Sequence, residues 1–102
     1  MKKSEILKEI TSVVCDCAEV EECNVRSANR NEENTTARCA VIGLAKEYHI
    51  SNKMVQQFLN LHSHRSIGYH QSQFDFRSKN DRPFKYLLGC VRHELDKTLA
   101  LE

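Results

Sequence analysis

The sequence predicts an all-α domain of five or six helices built around a helix-turn-helix, on three observations. Apolar residues recur at helical spacing in one stretch after another. No stretch alternates apolar and polar residues with period two, and no hairpin turn signal occurs. The length of 102 residues, with 40% hydrophobic and 28% charged, suits one folded domain over residues 1–100. The closing Leu101-Glu102 resembles the scar left before a purification tag and is given no functional weight.

The first element is a helix whose buried face is Ile6, Ile10, Val13, Val14 and Cys17, with Ser4 as its expected cap. A helical turn is expected around Glu19–Cys23. The segment from Asn24 to Asn34 is polar and Asn-rich, so it reads as an exposed loop. Thr35 or Thr36 would cap the next helix, whose stripe is Ala37, Ala40, Val41, Leu44, Ala45 and Tyr48. Ser51 caps a short helix carrying Met54, Val55, Phe58 and Leu59, and Asn60-Leu61-His62 forms a turn. Ser63 would cap a longer helix with Ile67 and Phe74 on its buried side and Arg65, Tyr69, Gln73 and Arg77 on the other. Pro83 marks the start of the last helix, capped by Asp81 or its neighbour, with Phe84, Leu87, Leu88, Val91 and Leu95 as its stripe.

Charge is balanced overall at +1 but uneven along the chain. Residues 1–37 hold five Lys/Arg against eight Asp/Glu, whereas residues 38–102 hold ten against six and all five histidines. That asymmetry permits an anionic partner for the second part. No apolar run could span a bilayer, and the Lys- and Glu-bearing start lacks the apolar core of a secretory signal. A cytoplasmic protein without a membrane partner is therefore expected.

Catalytic and cofactor patterns are absent. The three glycines are isolated, so there is no phosphate loop and no bound nucleotide is expected. His93-Glu94 lacks the second histidine of a zinc-protease helix. The five cysteines contain no C-x-x-C pair, and their odd number argues against a disulfide framework. Cys15-x-Cys17 with His62-x-His64 is a weak zinc pattern, because structural sites have tighter spacing. The cysteines read as small core fillers, and neither metal, cofactor nor enzymatic activity is expected.

The informative segment runs from Ser51 to Arg77: a short helix, a tight turn, then a longer helix with polar residues at its start. A helix-turn-helix places that start in the major groove of duplex DNA. Ser63, His64, Arg65 and Ser66 would face base edges, followed by Tyr69, since Arg can fork onto guanine and His and Ser can donate or accept. Arg26, Arg30, Lys53, His62 and Arg77 would lie near phosphates or an adjacent minor groove. Two other readings stand beside this one. The acidic Asp16–Glu22 stretch would suit a protein-interaction module that kept the fold without DNA. Single-strand binding would need stacking platforms, and the candidates, Tyr69 and Phe76, are more simply packing residues.

Arg38-Cys39-Ala40-Val41-Ile42-Gly43-Leu44-Ala45-Lys46-Glu47 resembles the central helix of the C-terminal DNA-binding domain of the bacterial replication initiator DnaA, a Trp-repressor-like helix-turn-helix family. Arg38 and Leu44-Ala45-Lys46-Glu47 fall in register, and the resemblance covers roughly residues 4–98. It implies a sequence reader of double-stranded DNA acting in replication or transcription control, with a basic loop at Arg26 and Arg30. The family's Arg-Asp-His-Thr-Thr signature stands here as His62-Ser63-His64-Arg65-Ser66, so only the His is kept. The glycine pair before it becomes Asn60-Leu61. A Thr exchanged for Arg puts a cationic fork where a small group stood, and each altered base contact is worth about 1–3 kcal/mol. The expected target therefore differs from the initiator's own box.

Overall fold

A computed structural model describes residues 2–26, 31–61 and 64–100, with the side chains of His64 and Ala100 left aside. It holds six helices and, among the described residues, no strand. In chain order they are α1 (Lys3–Ala18), α2 (Glu22–Val25), α3 (Glu32–Glu47), α4 (Asn52–Phe58), α5 (His64–Asn80) and α6 (Arg82–Ala100). The expected all-α class and helix number hold.

Helix α3 is the axis of the fold. It packs against α1, α2, α4 and α5, while α6 closes the other side against α1 and α5. Every residue from Ala37 to Ala45 is buried, so this helix is covered all round and not along one stripe. Its small residues make that possible. A Cβ added at Gly43 would overlap the Phe74 ring, so glycine here lets α5 approach the α3 backbone. Phe74 in turn meets Phe84 of α6 edge-on, with ring centroids 5.7 Å apart.

The start of α3 differs from expectation. Asn31 is the cap: its side-chain oxygen accepts from the backbone N–H groups of Glu33 and Asn34 at 2.8 and 3.3 Å. Thr35 and Thr36 therefore lie inside the helix, and the Asn-rich stretch includes its first turn. Glu32 and Glu33 suit that turn, where the helix dipole favours negative charge. In α1 the cap position falls to Lys2, without a side-chain cap bond, and Ser4 lies inside the first turn. Lys3 reaches instead across to the Tyr48 carbonyl at the end of α3, 2.7 Å away. The short α2 begins at Glu22 and buries Val25. Ser51 caps α4 as expected, accepting from Met54 N–H at 3.2 Å.

Three helices end without glycine in the same way. Glu19, His49 and Asn60 each take a left-handed conformation with φ near 60°. After each, an apolar residue (Val20, Ile50 or Leu61) turns back onto the core and donates its N–H to a carbonyl five residues earlier. At α4 this closes the turn before α5, and Asn60 tolerates the conformation better than most side chains.

Helices α5 and α6 are separated by Asp81 alone. Its carboxylate accepts from Phe84 N–H at 3.1 Å and from Arg77 Nε at 3.1 Å, which holds it below the ordinary carboxylate range. Pro83 has no N–H to satisfy at this helix start.

Candidate nucleic-acid interface

The pair α4 and α5 lies against α3 on one side and presents its other side to solvent. Val55 and Leu59 of α4, with Ile67 of α5, belong to the core. Two side-chain bonds pin the pair at its polar edge. Gln71 donates to Asn52 Oδ1 at 3.2 Å, and Gln56 donates to the Leu61 carbonyl at 3.3 Å. The start of α5 is thereby set by α4.

Of the expected base-facing residues, Arg65 is exposed and Ser66 half-buried in the first turn of α5. His64 opens that helix by its backbone. Ser63, His62 and Arg30 lie outside the described residues. Lys53 is exposed in the first turn of α4.

Arg26 is brought to this site by the fold. It leaves the end of α2, donates through Nε to the Phe58 carbonyl at 3.0 Å and stacks 4.3 Å over the Phe58 ring. Asn60 donates back to the Arg26 carbonyl at 2.8 Å. The end of α2 is thus buckled to the turn before α5. Arg26's terminal nitrogens make no hydrogen bond among the described residues.

Arg77 is not brought to the same place. It lies twelve residues beyond Arg65, about 18 Å along the helix. Its guanidinium is engaged within the fold by Asp81, by Thr36 Oγ1 at 3.1 Å, and by the face of Phe84 at 4.7 Å. The residue expected near phosphates thus also holds the corner between α5 and α6.

Two buried residues escaped the sequence reading. Arg38 is 5% exposed and donates to the carbonyls of Val25 and Asn24 at 3.0 and 3.3 Å. Those carbonyls lie at the end of α2, so Arg38 caps the helix from outside. Burial lowers the pKa of Arg38. His70 is 8% exposed on the inner side of α5, and burial and the charge of Arg38 lower its pKa. Its place between Ile67 and Phe74 at helical spacing was the available signal. Conversely, Tyr69 and Phe76, expected to pack, are 60% and 63% exposed.

A charge pattern in the sequence also bears on this site. From Tyr48 to Phe74 there is no Asp or Glu, although the same stretch carries Lys53, Arg65 and four of the five histidines. That stretch itself contributes no carboxylate to the α4–turn–α5 edge, although Glu32 and Glu47 of α3 border α5 at Tyr69 and at Gln71.

Two cysteines are buried in the core. Burial pushes the Cys15 and Cys39 thiols up to about 11, and Cys39 donates to the His70 carbonyl. Cys23 is exposed and so is not a core filler. Among the described residues no group of three or more His, Cys, Asp or Glu could hold a metal, and no helix is long and apolar enough to cross a membrane. No family model, curated protein or solved structure matches this chain.

Proposed function

We propose that the protein is a sequence reader of double-stranded DNA, with α5 as the helix that enters the major groove. The observation that carries this reading is the lack of Asp and Glu in α4, the turn and the first half of α5, with Lys53 and Arg65 exposed there. DNA repels carboxylates and draws cations, and a helix start is where a groove-reading helix makes its base contacts. Arg65 is the base-reading residue, with Ser63, His64 and Ser66 around it. Lys53 and Arg26 lie toward phosphates, and Arg30 and His62 are assigned the same role. The sequence resemblance to the C-terminal domain of the replication initiator supports the same reading and suggests a role in replication or transcription control. Neither a cofactor nor an enzymatic step enters this proposal.

The exposed Phe76 and Tyr86 favour a second reading, a protein-interaction module. Salt separates the two, because binding through phosphates weakens steeply with added salt and apolar docking does not. The deciding experiment is a selection from a randomised duplex library at low and near-physiological salt. An enriched motif at the higher salt establishes the reader, and no retention at low salt rejects it. Arg65→Ala should then cost about 1–3 kcal/mol on the selected site and relax preference at one position. An equal loss on random duplex would make Arg65 a phosphate contact.

A further inference from the structure

Tyr69 sits one helical turn after Arg65 on the same face of α5, about 6 Å further along the axis. The fold gives its side chain little to do. It is 60% exposed, and its hydroxyl makes no hydrogen bond among the described residues. One edge of the ring borders a shallow groove shared with Glu32, Thr35, Gln73 and Arg77. What the fold does supply is a backing: the ring stands edge-on to buried His70, with centroids 5.4 Å apart and planes at 71°. A large apolar ring is thus held outward.

Its neighbours along the chain carry no carboxylate. Tyr69 lies inside the carboxylate-free stretch, whereas exposed Phe76 directly follows Asp75. Beside Tyr69 is Gly68, in a helical conformation with open space around the position of a Cβ. Among the described residues nothing requires glycine there, and the gap lets a partner surface come close to the α5 backbone next to the ring. In the major groove of a duplex the apolar feature available to such a ring is the thymine C5-methyl group.

We propose that Tyr69 is a specificity-determining residue that packs its ring on a thymine methyl, about two base pairs from the pair read by Arg65. This rests on the reading of α5 as the DNA-entering helix. The chain would then read a site in which a guanine and a thymine occupy fixed relative positions, one through a cationic fork and one through an apolar contact.

The test uses the duplex enriched by selection, with each thymine replaced in turn by deoxyuridine, which lacks only that methyl. At one position the replacement should weaken the wild-type protein roughly fourfold, the worth of one buried methyl. Tyr69→Ala should bind the two duplexes equally at that position and still discriminate at the position read by Arg65. Tyr69→Phe should behave as wild type, because the ring and not the hydroxyl makes the contact. An enriched site at which no deoxyuridine distinguishes wild type from Tyr69→Ala overturns the proposal and leaves the DNA reading intact. So does a loss in Tyr69→Phe as large as in Tyr69→Ala, which would assign the contact to the hydroxyl. Absence of any enriched site overturns the DNA reading itself, and this proposal with it.

Discussion

Helices α3 and α5 pack against each other, yet they answer to different demands. Each residue of α3 from Ala37 to Ala45 is buried, and its residue choices follow from contacts within the chain. Gly43 admits Phe74, Arg38 completes α2, and Cys39 donates to the His70 carbonyl. Helix α5 is divided. Ile67, His70 and Phe74 face inward, while Arg65, Gly68, Tyr69, Ser72 and Phe76 face solvent. A residue that internal packing explains carries little information about partners. The outer face of α5 is where residues lack such an explanation, and it is there that function is to be sought.

That contrast can be broken by experiment, most forcefully at the two glycines. Gly43→Ala should destabilise the fold by roughly 2–3 kcal/mol in urea unfolding, because the methyl overlaps the Phe74 ring between two packed helices. A neutral result would mean that α3 and α5 are not so closely apposed. Next in size, Arg38→Leu should cost about 2 kcal/mol, since the carbonyls of Asn24 and Val25 lose a charged donor. The loss should show first as faster amide exchange in α2. On the outer face the sign reverses. Gly68→Ala should raise stability by up to about 1 kcal/mol, because a helical glycine in open space contributes only backbone freedom to the unfolded chain. Destabilisation there would show that Gly68 serves the fold after all.

The remaining effect is one of pH. Unfolded His70 takes up a proton near 6.5, but in the fold burial and Arg38 hold its pKa lower. Between those two values the unfolded chain binds more protons, so stability falls as pH is lowered through this window and is fully present above it. His70→Gln should flatten that part of a stability–pH curve. An unchanged slope would assign the acid sensitivity to other groups.

The helices with one apolar stripe, α1, α4 and α6, were legible because a stripe is a local pattern. The caps at Ser51 and Asp81 were legible for the same reason. The start of α3 was not, since an Asn-rich stretch looks like loop until one oxygen of Asn31 is seen to take two backbone donors. Helix ends at Glu19, His49 and Asn60 lacked the usual glycine signal. The roles of Arg26 and Arg38 depend on partners 32 and 13 residues away, a separation at which a single sequence holds no periodic trace. The partners of Arg77 were hidden for the same reason. An arginine looks alike whether solvent or Thr36, Asp81 and Phe84 surround it. At the candidate site the sequence indicated the helix pair and Arg65, and the structure added the buckle at Arg26 and the outward hold on Tyr69.

The single-residue corner at Asp81 bears on how binding would be felt elsewhere. Asp81 donates to the Arg77 carbonyl at 2.9 Å, Phe84 donates to the Asp81 carboxylate, and Lys85 donates to the Asp81 carbonyl at 2.9 Å. With Pro83 lacking an N–H, the corner has little slack in its backbone bonds, and α5 and α6 move as one bent rod. A tilt of α5 in a groove would be levered into α6 and so into α1, which packs against α6.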